Sequence, residues 1–418
     1  MNRSFIAGIV AAAGLISFGA YQFANSPATW GRLGIQKNWL DKSDLAPALG
    51  DSNGFFKLPN EVEITHGRTH HQAILQYSFD PLLQESMQKL FQSFSPDYGA
   101  FVAMDAKTGR ILSMVSYSRD PANQKNLALQ ATFPSASVFK VVTAAAAIEE
   151  QKLSANTRLR FTGANHTLYK GQVLNEHPNN RWSRSLTLKE AFAKSVNTVF
   201  GRLGAFTVGP EKMAEYAKRF GFNRSIAFDL PIQQGQAPIT SHSDAWDLAQ
   251  KSSGFTRENT MSPLQGALIA AAVANDGVMM EPFVVQSAFT QDGVTLYQAI
   301  PKAADHVISA STAWEIRQLM AETVTHGTSR KSFRGFFKGS LKELSVGGKT
   351  GSLTGMDPPG KYDWFVGYAD GGPHRIAVAA LTIHGKQWRV KSSYLARRAF
   401  EAFFHDHPVV IRKIADVR

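Results

Sequence analysis

The sequence predicts an α+β fold in which an antiparallel sheet is flanked by helices and accompanied by a helical subdomain. One observation is a hairpin-like stretch at 99–116. Another is the last third of the chain, where three strand-like runs are separated by Gly- and Pro-rich turns: 346–353, 363–368 and 374–383. The third is the helical character of the residues between these two parts, which predicts that helices are inserted into the strand-containing domain.

Each element of this prediction depends on a local pattern. In 99–116, two apolar runs lie on either side of a Gly-containing turn, as in a β-hairpin. Residues 137–150 combine apolar spacing with four consecutive alanines and predict a helix. A second continuous helix is expected at 186–200, with Ser185 as its cap. The last helix is expected at 392–405, where apolar and aromatic residues recur at helical spacing.

The composition excludes several function classes. The chain of 418 residues is 44% hydrophobic and 19% charged, which is typical of a globular protein. Its net charge of +12 suits anionic neighbours such as lipid headgroups or cell-wall polymers. No basic stretch is interleaved with aromatic residues, so nucleic acid is not expected as a partner. The absence of cysteine excludes disulfides, thiolate metal sites and a cysteine nucleophile.

No metal or cofactor is expected. Three histidines, His66, His70 and His71, lie close together in the sequence. Their spacing matches no zinc motif, and we interpret them as part of a solvated segment.

The N-terminus predicts export. Residues 5–23 form a run of 19 residues without a charge, shortly after the positive Arg3. A span of about 20 apolar residues crosses the hydrocarbon core of a bilayer. We therefore expect an uncleaved signal anchor at 1–24, with a cleaved signal peptide as the alternative. In both cases the rest of the chain lies outside the cytoplasm.

The domain boundaries follow from composition. Residues 25–71 contain Pro27, Pro47 and Pro59 and are expected to form a membrane-proximal linker. The folded domain is expected at 72–408, followed by a C-terminal tail at 409–418.

Three short strings carry the chemistry of this chain. They are S-x-x-K, S-x-N and K-T-G-S, at 137–140, 195–197 and 349–352. The second begins 58 residues after the first, and the third begins 154 residues after the second. Serine is a weak nucleophile that needs an adjacent base. On a helix Lys140 shares a face with Ser137, and burial can lower its pKa enough for that role.

The other two strings supply binding groups. Ser195 can pass a proton between Lys140 and a leaving amine, and Asn197 can hold a substrate amide. Lys349 and the hydroxyls of Thr350 and Ser352 can hold a carboxylate.

Gly351 leaves room for an extended substrate to pair with the strand that carries the third string. A phosphate-binding loop is the competing interpretation, because Gly348, Lys349 and Thr350 resemble the end of one. It fails because Glu343 occupies a position that requires glycine.

The ordered set of three strings resembles the penicillin-binding protein transpeptidase domain. The resemblance covers roughly 72–404 and includes further similar segments: 99–112, 133–140, 186–198, 262–265 with 274–277, and 364–368. The chain departs from the usual family pattern at Ala136 and Val138, where Gly and Thr are commoner, and at Ser352, where Thr is commoner. None of these departures removes a reactive group.

The resemblance implies a β-lactamase/transpeptidase-like fold and assigns roles to the matching residues. Ser137 would be the acylated nucleophile and Lys140 its base, while Ser195 and Asn197 would relay protons and bind substrate. The three polar residues of the third string would bind the terminal carboxylate: Lys349, Thr350 and Ser352. The backbone N–H groups of Ser137 and Ser352 would form the oxyanion hole.

The implied activity is that of a peptidoglycan D,D-transpeptidase acting on D-Ala-D-Ala stem peptides and binding β-lactam antibiotics. The alternatives are a D,D-carboxypeptidase, a class D-like β-lactamase, or a non-catalytic β-lactam sensor or scaffold. Residues 25–70 are too few for a glycosyltransferase domain or a long pedestal, so a monofunctional form is expected. The expected location is the bacterial inner membrane, crossed once by the N-terminal helix, with the catalytic domain on the periplasmic side in a cell-wall synthesis complex.

The remaining large or charged side chains have ordinary structural interpretations. Trp364 and Phe365 are expected in the core of a strand. Trp182 is interpreted as part of a surface loop, with the rim of the substrate cleft as the alternative. Arg397 and Arg398 on the last helix are expected to face solvent.

Overall fold

The computed structural model of the chain describes residues 39–50, 58–120, 122, 125–175 and 183–409. The expected signal anchor at 1–24, Trp182 and residues 410–418 of the expected tail lie outside the described residues. Within these ranges no helix has the length and apolar character needed to cross a membrane.

The strands of the described chain are, in order, β1 Glu61–His66, β2 Thr69–Tyr77, β3 Tyr98–Asp105, β4 Ile111–Ser118, β5 Phe133–Pro134, β6 Arg158–Phe161, β7 Arg184–Thr187, β8 Thr260–Met261, β9 Val278–Met280, β10 Val285–Phe289, β11 Thr295–Gln298, β12 Ala303–His306, β13 Ser345–Met356, β14 Pro359–Asp370 and β15 Arg375–His384. The α-helices are α1 Lys42–Leu49, α2 Pro81–Phe94, α3 Lys140–Gln151, α4 Lys170–Leu174, α5 Leu188–Ala193, α6 Asn197–Arg202, α7 Pro210–Arg219, α8 Ala245–Ser253, α9 Pro263–Ala274, α10 Ala310–Thr325 and α11 Ser392–Asp406. Two 3₁₀ turns, Ala136–Phe139 and Gly339–Leu341, and a π-helical segment, Leu203–Val208, complete them.

A five-stranded antiparallel sheet forms the centre of the domain, in the order β13-β14-β15-β3-β4. Alternate side chains of its strands enter two separate hydrophobic clusters, because successive residues of a strand point to opposite faces. Val102 and Ala379 belong to the cluster that contains α9, and Phe101 and Ala380 to the one that contains α2 and α11. The sheet confirms the α+β prediction, including the hairpin at 99–116.

A helical subdomain lies between α3 and β8 and packs against one edge of the sheet. Helix α8 packs on α6 and on the π-helical segment, and α7 packs on α3. Helix α10 joins this subdomain to the sheet, because it packs on both α5 and β13. The junction of α5 with α6 is therefore held opposite β13.

A second antiparallel sheet, in the order β1-β2-β10-β11, contains much of the expected linker. Strand β1 alternates exposed and buried residues, and Val62 and Ile64 enter the main core. Helix α1 contributes Leu45 and Leu49 to the same core. The described part of 25–71 is thus folded onto the domain, and the boundary expected at residue 72 lies inside β2.

The helix expected at 186–200 is interrupted. Strand β7 occupies its beginning, and α5 and α6 are separated by a turn in which Ser195 has a φ of 54°. The cap of α5 is Thr187, not Ser185, because Thr187 and Glu190 form a reciprocal capping box. The continuous helix predicted from local propensity is therefore wrong.

Two further expectations concern individual side chains. Trp364 and Phe365 are fully buried in β14, as expected. Arg398 is about half exposed, but Arg397 is not turned to solvent. It donates to Glu401 and to the carbonyl oxygens of Ser332 and Arg334, which ties the segment before β13 to α11.

Candidate active site

Ser137 lies in the 3₁₀ turn that leads directly into α3. In a 3₁₀ turn, side chains three positions apart lie one above the other. Lys140 Nζ accordingly donates a hydrogen bond of 2.8 Å to Ser137 Oγ. Ser137 is partly exposed, whereas Lys140 is completely buried. The turn thus presents a serine hydroxyl to the cleft with a buried amine behind it.

Lys140 has two further acceptors. It donates 2.8 Å to Asn197 Oδ1 and also to the backbone carbonyl of Ser253. Burial, with a smaller contribution from the positive charge of Lys349, lowers the pKa of Lys140 well below its usual value. The environment therefore favours the neutral amine, whose lone pair can take the proton of Ser137.

Asn197 is held in one orientation by the loop before α4. Its Nδ2 donates 2.9 Å to the carbonyl of His166, so its Oδ1 faces Lys140. His166 lies close enough to Ser195 to donate to its backbone carbonyl. Burial first, and then the charges of Lys140 and Lys349, lower the pKa of His166.

Lys349 enters the site from β13. Its Nζ donates 3.0 Å to Ser195 Oγ and 2.9 Å to the carbonyl of Thr350. Complete burial lowers the pKa of Lys349 to about 7. The hydroxyl of Ser195 therefore contacts the lysine of the third string, while Asn197, two residues later, contacts the lysine of the first.

The open edge of β13 lines the other wall of the cleft. The carbonyls of Thr350 and Thr354 accept hydrogen bonds from the side chains of Lys349 and Arg257. These side-chain donors indicate that both carbonyls point away from β14. Backbone direction alternates along an antiparallel strand, so the N–H and C=O groups of Ser352 face the same open edge. Such an edge is a template for an extended peptide.

Gly351 is the point of closest approach between this strand and the nucleophile turn. A Cβ at Gly351 would lie 3.2 Å from Val138 Cγ2 and 3.3 Å from Ala136 Cβ. The missing side chain thus lets β13 come close to the turn that carries Ser137. This close packing is a second reason for glycine here, besides the room for an extended substrate that was expected from the sequence.

The structure brings all eight predicted site residues to one cleft and adds three contributors that sequence reasoning missed. Thr328 Oγ1 lies 2.5 Å from Thr350 Oγ1, at the end of the cleft beyond Lys349. Ser253 contributes only a carbonyl, which has no signature in the sequence. Gly254 has a φ of +67°, and a Cβ there would lie 1.9 Å from the carbonyl oxygen of Ala136. In the sequence, Thr328 is marked only by the Gly-Thr pair that it forms with Gly327 shortly after the end of α10.

The histidine cluster lies far from this site, on the β1–β2 hairpin. His66 pairs with Asp44 and His70 with Glu63, at 3.0 Å in each case. In the part of the chain that the structure describes, no three His, Asp or Glu side chains converge as metal ligands.

The model of the penicillin-binding protein transpeptidase domain family matches residues 99–405. That match includes all three strings and nearly three quarters of the chain. The chain belongs to the penicillin-binding protein transpeptidase family. The membership confirms the resemblance seen in the sequence.

The sequence similarity to relatives in this family extends beyond residues 99–405. The peptidoglycan D,D-transpeptidase PbpA of Mycolicibacterium smegmatis is 28% identical over 391 residues, which cover 84% of this chain and 76% of the relative. The D,D-transpeptidase domain of a peptidoglycan glycosyltransferase from Eggerthella lenta is 27% identical, with a TM-score of 0.66 and coverage of 80% of this chain and 83% of that one.

The fold is also that of penicillin-binding protein A from M. tuberculosis, solved as a penicillin G acyl-enzyme complex. It has a TM-score of 0.63 and 24% identity, covering 81% of this chain and 82% of that one.

Proposed function

We propose that the protein is a peptidoglycan D,D-transpeptidase in which Ser137 is acylated by a D-Ala-D-Ala stem peptide. The observation that carries this proposal is the hydrogen bond of 2.8 Å between Lys140 Nζ and Ser137 Oγ, made by a lysine whose pKa is lowered by burial. Family membership and the D,D-transpeptidase activity named for the Mycolicibacterium relative support it.

Acylation begins when neutral Lys140 takes the proton of Ser137. The oxygen Oγ then bonds to the carbonyl carbon of the penultimate D-Ala, and negative charge develops on the carbonyl oxygen. The backbone N–H groups of Ser137 and Ser352 are the donors for this oxygen, and one such donor is typically worth about 10²–10³ in rate. Ser195, in contact with Lys349, can pass a proton to the leaving amine as the C–N bond breaks.

The terminal carboxylate of the stem peptide binds at the end of the cleft that contains Lys349, Thr350 and Thr328. Protonated Lys349 supplies the charge, and the two threonine hydroxyls supply hydrogen bonds. This placement directs the leaving D-Ala toward the same end. An amine from a neighbouring strand then enters along that path and bonds to the acyl carbon. Its proton passes through Lys140 to Ser137 Oγ as the bond between that oxygen and the acyl carbon breaks.

Water in place of the amine would make the same site a D,D-carboxypeptidase. A β-lactam, whose strained amide stands in for the peptide bond, would acylate Ser137 and remain attached. A class D-like β-lactamase fits less well, because Asn197 bonds to Lys140 and because those enzymes are usually much shorter. The contact between base and nucleophile speaks against a catalytically idle scaffold, whereas a β-lactam sensor would need the same contact.

The proposed location is the inner membrane, with residues 1–24 as a single-pass anchor and the domain on the periplasmic side, within a cell-wall synthesis complex. The uncharged run 5–23 after Arg3 supports it. The full chain should sediment with membranes, and a fragment lacking residues 1–25 should stay in solution. Equal membrane association of the two would contradict the anchor.

The decisive test of function is to incubate the full-length protein with a D-Ala-D-Ala pentapeptide and an amine acceptor and to identify the products by mass. Release of D-Ala with formation of the acceptor adduct is expected, and Ser137→Ala should abolish both. Release of D-Ala without an adduct would identify a carboxypeptidase instead. Turnover that survives Ser137→Ala would overturn the nucleophile assignment.

A further inference from the structure

The loop between α8 and β8 closes the end of the cleft opposite Lys349 and Thr350. It begins at Gly254, which packs on the carbonyl of Ala136, and it ends at Asn259, whose carbonyl accepts 2.7 Å from the N–H of Ser135. Directly after it, β8 pairs with β5. The loop is therefore fixed at both ends to the wall of the cleft that carries the nucleophile.

Arg257 extends from this loop to the opposite wall. Its Nε donates 2.9 Å to the carbonyl of Thr354 on the open edge of β13. A guanidinium has five N–H donors in a fixed fork, and this bond uses only one of them. The remaining four are on the two terminal nitrogens of a side chain that is exposed to solvent.

The position of Arg257 along β13 relates it to the substrate. A donor peptide that pairs antiparallel with β13 places its acylated alanine opposite Ser352, and its terminal carboxylate lies toward Thr350. The residues that precede the acylated alanine then run toward Thr354. Thr354 is two residues beyond Ser352 along β13. Both strands rise about 3.4 Å per residue, so the carbonyl of Thr354 lies about two peptide residues from the acylated alanine. The guanidinium consequently meets the donor one or two residues before its acylated alanine.

The charge of Arg257 is not neutralised by a neighbour within the described residues. None of the ion pairs formed there includes Arg257. Its chain neighbour Glu258 instead lies 3.4 Å from Lys251, which also pairs with Asp247. A guanidinium with unused N–H donors and no acidic partner is suited to a planar carboxylate of the ligand.

We infer that Arg257 is a specificity residue that binds a carboxylate carried by the donor stem peptide one or two residues before the acylated alanine. This inference depends on the proposed function, because it uses the direction in which the donor lies along β13. Two sources can supply the carboxylate. One is the side chain of the residue directly before that alanine, and the other is a free carboxyl group one residue earlier.

The test compares four full-length proteins: wild type, Arg257→Gln, Arg257→Lys and the matched control Arg68→Gln, an exposed arginine on the distant β1–β2 turn. Each is assayed for D-Ala release from pentapeptides that differ in one group. One pair carries either a side-chain carboxylate or a lysine directly before the acylated alanine. The other pair carries either a free or an amidated carboxyl group one residue earlier.

For one of the two pairs, the wild type should prefer the carboxylate form, and Arg257→Gln should lower kcat/KM for that form about tenfold, as expected for loss of a charge-assisted hydrogen bond. The form of that pair without the carboxylate should be unaffected. Arg257→Lys should restore part of the preference, and Arg68→Gln should behave as wild type. The pair that responds identifies the source of the carboxylate.

Labelling by a fluorescent penicillin distinguishes failure of the proposed function from failure of the role inferred for Arg257. If wild type neither labels nor releases D-Ala, the proposed function fails. If wild type is active but Arg257→Gln slows all four peptides and penicillin labelling equally, Arg257 only attaches the loop to β13, and the inference is overturned. It is equally overturned if the substitution changes no rate.

Discussion

Lys349 and Ser195 are joined by a hydrogen bond of 3.0 Å between Nζ and Oγ, although they are 154 positions apart in the sequence. Lys349 is buried without an acidic partner among the described residues, and its pKa is lowered to about 7. The amine that holds the proton-relaying serine therefore changes its charge near neutral pH. Lys140, buried nearby, also has a lowered pKa.

These two shifts predict a bell-shaped pH dependence of acylation by a peptide with a free terminal carboxylate. Lys140 must be neutral to act as a base, so the rate rises with pH through the lowered pKa of that amine. Lys349 must be protonated to bind the carboxylate, so kcat/KM falls as pH rises beyond about 7. Lys349→Arg should move the falling limb upward, because a guanidinium stays charged. An unchanged falling limb in this variant would show that another group titrates there.

Penicillin labelling tests the nucleophile and its base. Ser137→Ala should abolish covalent labelling, and Lys140→Met should slow it by about 10²–10⁴, the usual contribution of a positioned base. Ser93→Ala, on the exposed face of α2, is the matched control and should label normally. Labelling is followed by fluorescence after denaturing gel electrophoresis, with far-UV circular dichroism to confirm the fold. Undiminished labelling of Lys140→Met would assign the base to another residue.

Thr328 should contribute to binding of the carboxylate. Thr328→Val keeps the volume but removes the hydroxyl that lies 2.5 Å from Thr350 Oγ1. The value of KM for a free-acid peptide should rise about 5- to 10-fold, in keeping with one hydrogen bond of about 1 kcal/mol, whereas the peptide amide should be less affected.

Thr325→Val is the control for this change, because Thr325 is the last residue of α10, three positions before Thr328, and its hydroxyl donates to the carbonyl of Ala321 within that helix. The role assigned to Thr328 would be wrong if both variants raised KM equally, or if the amide and the acid responded alike.

The contact of Gly254 with Ala136 predicts that Gly254→Ala damages the site as well as the fold. A Cβ 1.9 Å from the Ala136 carbonyl must displace the turn that carries Ser137, in addition to the strain of a positive φ. Gly293 has a φ of +85° with open space around it, so Gly293→Ala meets only the backbone strain. Gly293→Ala should lose about 1–2 kcal/mol of unfolding free energy from the backbone strain, and Gly254→Ala should lose more, as measured by urea denaturation. Only Gly254→Ala should slow penicillin labelling at a temperature where both are folded; equal labelling would contradict the contact.

Local patterns predicted most of the fold because they reflect local physics. The strands of the last third could be recognised from their strand-like runs and from the Gly- and Pro-rich turns between them. The break at Ser195 could not, because residues 188–194 favour a helix locally and the turn is stabilised by distant partners. Lys349, 154 positions away, donates to the Ser195 hydroxyl. A tertiary requirement overrides helix propensity there.

The candidate site likewise contains some features that the sequence predicts and others that depend on tertiary contacts. Side chains with distinctive chemistry, such as Lys140 and Lys349, could be found from the order and spacing of three strings. The carbonyl of Ser253 and the approach of Gly254 to Ala136 could not, because backbone groups are the same in every residue. The folded state of 58–71 was missed for another reason: proline content suggested a linker, while the alternation that buries Val62 and Ile64 is only a few residues long.

The bonds from Lys140 to Asn197 and from Lys349 to Ser195 cross 57 and 154 positions of the chain. The helical subdomain must therefore dock on the sheet before Lys140 meets Asn197 and Lys349 meets Ser195, and contacts between distant parts of a chain form slowly. During refolding, reactivity toward penicillin would appear with the last tertiary step, after the helical signal. A covalent drug would therefore label the native protein but none of the compact intermediates that precede it. The time course of labelling would measure the rate at which folding is completed.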